Sequence, residues 1–241
     1  MKRRLKREWQ MHLMLLPGIV LVFIFSYIPL YGLIIAFEKY NPGMGFSSPW
    51  VGLDNFTYLF AQPNFVRTIW NSLYIAVFKI FGGIVASVFF ALLLNEIGNK
   101  VAKRVFQTLI YIPNFLSWVI MAGVMMDLLA TDGLVNRWLT SLGMEPVNFL
   151  GNPEVFPWTM IVSDIWKGFG FGTVVYLAAL TGIDPELYDA AKVDGAKRIR
   201  QIRYITLPLL MPTIILMLVL SLGGIMNAGF DQIYNLYSPV V

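Results

Sequence analysis

The sequence predicts an all-α protein, a polytopic transmembrane helix bundle, and three observations carry that reading. Of the 241 residues, 57% are apolar. Only 13% are charged, about half the share usual in a globular chain, so there is too little charged surface to keep a water-exposed monomer in solution. Five segments also satisfy the length filter of roughly 20 mostly apolar residues needed to cross a bilayer core.

The first span, 13–37, is too long for a signal-peptide core and has no small-residue cleavage site, so it reads as a retained anchor. The second covers 72–94. The third, 105–128, contains Pro113; the fourth, 157–180, contains Asp164 and Lys167; the fifth, 207–230, contains Pro208 and Pro212. Proline in a spanning helix deletes a backbone hydrogen bond that lipid cannot replace, so neighbouring helices or a wet cavity must supply the partner. The spans therefore form one packed transmembrane domain over residues 1–241, and five of them leave Val241 on the side opposite the amino terminus.

The basic residues set the orientation. Lys2, Arg3, Arg4, Lys6 and Arg7 precede the first span, Lys100, Lys103 and Arg104 follow the second, and Lys192, Lys197, Arg198, Arg200 and Arg203 follow the fourth. Only Lys39, Arg67 and Arg137 fall in the loops of the other side, while Lys79 and Lys167 lie within spans. Cytoplasmic loops collect Lys and Arg, so the amino terminus is expected inside and the 38–71 and 129–156 loops outside. The net charge of +4 is thereby explained by topology, and no nucleic-acid partner is expected, because its basic patch would have to be these same residues.

Several chemistries are excluded. With no Cys and one His, His12, there is no thiol nucleophile, Cys-based zinc site or paired-His metal motif. No GxxxxGK[ST] phosphate loop is present, so any ATP hydrolysis belongs to another subunit and this chain is not itself an enzyme. Gly168, Gly170 and Gly172 lie inside the fourth span with no strand before them, which points to close helix packing and not to a dinucleotide site. The Asn55-Phe56-Thr57 sequon is too short a pattern to carry weight.

The most informative segment is 184–208. Asp184 can cap a helix, Pro185 suits its first position and Glu186 adds an acid where the helix dipole favours one. The spacing predicts a short helix to about Val193, with Asp194 and Gly195 supplying a turn through the left-handed region. Ile199, Ile202 and Ile205 alternate with Arg198, Arg200 and Arg203, which predicts a second helix on the membrane surface before Leu207 and Pro208 turn the chain inward. Ala190 and Ala191 are small enough to let another protein approach the backbone closely.

The run DAAKVDGA, the nine residues from Ala196 to Tyr204 that separate Gly195 from Ile205, and then Ile205, Thr206, Leu207 and Pro208 resemble the EAA loop of permease subunits in bacterial binding-protein-dependent ABC importers. Asp189 stands where that family usually has Glu, one methylene shorter with the charge kept. LLPGIVLVFIFSYIPLYGLIIAF, WVGLDNFTYLF, ALLLNEI and YIPNFLSW are similar to the sugar-importing branch, particularly permeases for oligosaccharides of complex polysaccharides. The resemblance implies the ABC importer permease fold, with a sixth span following Val241, in a bacterial cell membrane. It implies that Asp189, Ala190, Ala191, Asp194, Gly195 and Ala196 contact an ABC ATPase subunit. The other implied partners are a second permease, identical or not, an extracytoplasmic solute-binding protein and the lipid bilayer. No cofactor is expected on this chain, ATP and Mg²⁺ being bound by the ATPase.

A sugar path calls for aromatic faces and amide or carboxylate groups near the bilayer midplane, and the candidates are Asp164, Trp166, Tyr176, Asn227 and Asp231. Asp164 and Lys167, three apart on one helical face, suggest an ion pair, either mutual or with another helix. Lys79 is expected to snorkel outward. The alternatives are an ABC permease for a non-sugar solute, or a secondary transporter or channel. The last would need ion-coupling carboxylates and commonly an internal repeat, neither of which is evident.

Overall fold

Lipid offers no hydrogen-bond partners, so a chain that spans it must satisfy its backbone internally, and helices dominate here accordingly. The computed structural model describes residues 2–227 and 229–237. The side chains of Lys2, Arg3, Arg4, Lys6 and Arg7, together with Ser238 to Val241, lie outside the described residues. Internal contacts divide the chain into two units, Met1–Thr68 and Ile69–Val241.

In the first unit, α1 (Lys2–Val22) continues as a π turn (Phe23–Tyr27) and a 3-10 segment (Ile28–Phe37). Pro29 gives the reason: its ring crowds the carbonyl four residues back, at Phe25, and the widened π turn moves that carbonyl aside. Glu38 and Trp50 then form an isolated antiparallel bridge, and α2 (Asp54–Ala61) packs back on it. The Asn55 amide donates to the Ala36 carbonyl at 3.0 Å and the Glu38 carbonyl at 2.9 Å, so the sequon asparagine is a structural strut. Phe37 stacks on Trp50 with centroids 5.5 Å apart.

The next helix, α3 (Phe65–Glu96), belongs to the second unit from Ile69 onward. It is followed by α4 (Lys100–Phe115), α5 (Trp118–Leu129), α6 (Leu134–Ser141), α7 (Phe156–Thr181) and α8 (Pro185–Val193). A short α9 (Arg198–Gln201) passes through a π turn (Ile202–Thr206) into α10 (Leu207–Leu222). A 3-10 turn (Ile225–Asn227) and α11 (Phe230–Leu236) complete the described chain.

Two of the expected spans need correction. The third, 105–128, is two helices, because Pro113 weakens the end of α4 and Ser117 starts α5 by accepting from the Ile120 N–H at 3.4 Å. The fifth does not run to 230, since its helix stops at Leu222 before Gly223, and α11 is separate. At its other end there is no surface helix that turns at Pro208. Arg198–Leu222 is one helical run, in which the π turn again displaces the carbonyl that the Pro208 ring would strike, here at Tyr204.

Among the described residues, four stretches are long and apolar enough to cross a membrane: Trp9–Phe37, Phe65–Glu96, Trp118–Ser141 and Arg198–Leu222. The helix α7 is not among them, although its 26 residues reach about 39 Å at 1.5 Å per residue. Its polar content and its position have one cause. It contributes buried residues to both apolar cores of the second unit, one with α3, α5 and α11 around Met121 and Met160, the other with α3 and α10 around Tyr176 and Leu210. Its polar Thr159, Ser163 and Thr173 are buried against protein, where no lipid-like surface is needed, while Trp158, Val162, Trp166 and Phe171 are exposed.

Two of the three glycines on α7 account for its close packing. A Cβ at Gly170 would strike the Ile110 carbonyl of α4, and one at Gly172 would strike the Ser87 side chain of α3. At Gly168 a Cβ would meet nothing within 4 Å, because that residue faces a cleft.

Candidate functional site

Two polar regions of the second unit stand out. The first lies between α3, α7 and α11. Lys79 on α3 is only 8% exposed, and its ammonium pairs with Asp164 on α7 at 3.8 Å and donates to the Gln232 side-chain oxygen on α11 at 2.5 Å. The Gln232 amide nitrogen donates to the Met160 carbonyl at 2.9 Å and the Ser163 hydroxyl at 2.8 Å. Gly229, with φ +79°, lets the lysine close on the start of α11, since a Cβ there would overlap the lysine nitrogen. A buried charge needs an opposite charge and hydrogen bonds, and this lysine has both.

Lys79 therefore does not snorkel. Asp164 pairs between helices with Lys79, whereas Lys167 donates to the Asn114 carbonyl at 3.3 Å and lies 5.2 Å from the Trp118 ring centre.

Beside this cluster opens a cleft of about 260 Å³, lined by Lys79, Asp164, Ser87, Gly168, Tyr176 and Ser221 among others. Tyr176 is 1% exposed, and its hydroxyl has no hydrogen-bond partner among the described residues. Trp166 is placed elsewhere, with Trp158 on the wall of an apolar cleft of about 420 Å³ between α5 and α7. Asn227 and Asp231 are exposed and line neither cleft. Of the five path candidates, the fold brings together Asp164 and Tyr176.

Sequence reasoning missed Lys79 as a partner and missed Gln232, choosing Asp231 beside it. A helix phase set by Ile233 and Leu236 would have found Gln232, which shares a face with Leu236 at i,i+4. Extending the fifth span to 230 concealed that phase.

The second region is the 184–206 segment. Asp184 caps α8 by accepting from the Glu186 N–H at 2.9 Å. At the other end the Gly195 N–H donates to the Lys192 carbonyl at 3.0 Å and the Ala196 N–H to the Ala191 carbonyl at 2.8 Å, with Gly195 at φ +73°. This is the Schellman closure, and it explains why glycine stands there. The outer face of α8 is free: Leu187, Asp189, Ala190 and Val193 are exposed, with Val193 at 88%. Asp189 pairs with Lys192, at 2.8 Å on the exposed surface. The inner face is tied down, the Tyr188 and Thr206 hydroxyls sharing a hydrogen bond of 3.0 Å. Asp189, Ala190, Ala191, Asp194, Gly195 and Ala196 thus sit on one short helix and its closing turn.

Comparison with known proteins agrees with this architecture. Residues 83–233 match the family model described as binding-protein-dependent transport system inner membrane component. The chain is 41% identical over 232 residues to protein LplB of Bacillus subtilis, covering 95% of this chain and 73% of that one. It is likewise 41% identical over 235 residues to the polygalacturonan/rhamnogalacturonan transport system permease protein YteP of the same organism, covering 97% of this chain and 73% of that one. Among solved structures, a chain of a bacterial ABC transporter that imports the acidic polysaccharide alginate superposes with a TM-score of 0.87 at 40% identity, covering 99% of this chain and 80% of that one. A chain of a bacterial alginate ABC transporter in complex with an alginate pentasaccharide-bound periplasmic protein matches with the same TM-score, identity and coverage.

Proposed function

The chain belongs to the family of binding-protein-dependent transport system inner membrane components, and on that premise we propose that it is the permease subunit of an ATP-driven oligosaccharide importer. The observation that carries the energy-coupling half of this reading is α8. It is a nine-residue helix, capped at both ends and held by its inner face, whose outer face of Leu187, Ala190 and Val193 is exposed. Small and apolar residues on a rigid, protruding helix make a docking knob for a groove on another protein.

In this reading α8 inserts into a cytoplasmic ATPase subunit through Asp189, Ala190, Ala191, Asp194, Gly195 and Ala196, with ATP and Mg²⁺ bound by that subunit. Nucleotide favours the closed ATPase dimer, and the docked helix passes this preference to the bundle as a population shift. A second permease completes the path and a solute-binding protein delivers the cargo outside. The amino terminus faces the cytoplasm, on the distribution of Lys and Arg.

The sugar half rests on relatives whose names and descriptions concern polygalacturonan, rhamnogalacturonan and alginate. The polar cleft supports it chemically. Tyr176 offers an unpartnered hydroxyl and Asp164 a carboxylate, the groups that sugar hydroxyls bind, and we place both on the path. Trp166, Asn227 and Asp231 remain path candidates only in an arrangement that brings them to this cleft.

A photo-crosslinking residue at Lys192 in native membranes tests the reading. Capture of a P-loop ATPase is the expected result, after which the binding protein encoded beside it is screened against oligosaccharides. Capture of lipid alone, with the protein folded and abundant, would mean that the segment is a surface linker.

A further inference from the structure

The contacts of Arg198 go beyond holding α9. Its guanidinium forks onto the Glu96 carboxylate at the end of α3, with Nε 2.9 and 2.8 Å from the two oxygens and Nη2 2.5 Å from Oε1. Nη1 donates to the Gln201 side-chain oxygen at 3.1 Å, and the group lies 5.5 Å from the ring centre of Tyr188 on α8. Gln201 is itself 3% exposed, and its amide nitrogen donates to the Ala196 carbonyl at 3.0 Å, immediately after the Gly195 turn. One planar cation thus joins the consecutive helices α8 and α9 to the end of α3, about a hundred residues earlier in the chain. Arginine alone can do this, with a fork for the carboxylate and a face for the ring.

We propose that Arg198 and Glu96 form a positioning clamp that carries the movement of α8 into α3 as well as into α10. The chain itself links α8 only to α7 and α9. Without the clamp α3 would feel α8 only indirectly, yet α3 carries Lys79, which grips Asp164 on α7 and Gln232 on α11. Seventeen residues separate Lys79 from Glu96 on one uninterrupted helix, about 25 Å at 1.5 Å per residue, so α3 can act as a rigid rod between the ATPase side and the polar cleft. Exposed ion pairs ordinarily contribute little, and the side chains of Arg198 and Glu96 are 42% and 38% exposed. This pair meets the stated exception, because it is bidentate and part of a network.

The inference rests on the reading of α8 as the ATPase contact, and the test separates the two. The importer, reconstituted with its ATPase, permease partner and binding protein, is assayed for solute moved per ATP hydrolysed. Glu96→Gln is expected to lower that ratio about tenfold, within the usual range of allosteric coupling, with abundance and Lys192 crosslinking to the ATPase unchanged. Arg198→Lys, which keeps the charge and loses the fork, should lower it in the same direction, and Glu96→Arg combined with Arg198→Glu should restore part of the loss. An unchanged ratio in both single variants, with crosslinking intact, overturns the clamp and leaves the reading of α8 standing. Loss of abundance in step with uptake would make the pair a purely structural tie and likewise overturns it. If Lys192 of the unaltered chain captures no ATPase, the reading fails and the clamp falls with it.

Discussion

The buried cluster around Lys79 and the exposed clamp around Arg198 each join three elements through one cation, but they do so under opposite conditions. Lys79 is 8% exposed and Gln232 0%, so protein groups, Asp164 and Gln232 among them, supply most of the solvation of the charge. The side chains of Arg198 and Glu96 are each more than a third exposed, and water is available whenever the pair opens. The first cluster is therefore expected to govern whether the bundle assembles, and the second how motion passes through it. Breaking a buried pair strands a charge, whereas breaking an exposed one releases two side chains to solvent.

The largest effect expected from this contrast is that of Lys79→Ala. It leaves Asp164 and Gln232 without their partner and should destabilise the fold by about 3–5 kcal/mol, read as a lower melting temperature in detergent. A change below about 1 kcal/mol would mean that water reaches the cluster, and the comparison would collapse.

Next comes Gly170→Val. Its side chain collides with the Ile110 carbonyl, and overpacking of this kind should lower stability by about 1–3 kcal/mol in the same melt. Gly168→Ala, on the same helix but facing open space, should leave the melt unchanged, and an equal loss at both positions would contradict the packing described for α7.

Gly195→Asp forces a side chain into a left-handed conformation worth about 1–2 kcal/mol, confined to the turn after α8. Uptake should fall while membrane insertion and the melting of the bundle stay nearly as they were. Unchanged transport would count against α8 as the energy-coupling element.

The smallest effect is that of Asp184→Ala. It removes one cap bond and should weaken α8 by about 1 kcal/mol, visible as faster hydrogen exchange over 185–193 alone. Faster exchange along α7 as well would show that α8 and the bundle are not separable in the way the comparison requires.

The same two regions show what sequence can and cannot reveal. The range of α8 is legible because its signals are local: a capping Asp184, Pro185 at the first position, Gly195 at the close. The Lys79 cluster is invisible along the chain because its partners lie far off, Asp164 on the fourth expected span and Gln232 beyond the fifth. Periodicity reports which residues share a face, not which faces meet. Prolines sit between these cases. Pro29 and Pro208 announce a perturbed helix, and in each case the π turn that absorbs the ring lets the helix continue, where sequence reading of Pro208 expects a turn. Pro113 differs because Ser117 waits four residues later to cap a new helix.

On the proposed function, solute moves through this bundle only when an ATPase acts on α8. The direct measurement is uptake of labelled oligosaccharide into proteoliposomes containing the assembled importer, with the binding protein outside and ATP inside, for the unaltered chain and for Gly195→Asp. Accumulation that requires both ATP and the binding protein, and that drops sharply in the variant while ATPase and permease remain associated, is the predicted result. Solute flux that persists without the ATPase, driven by an ion gradient, would make the chain a secondary transporter and not an ATP-driven permease.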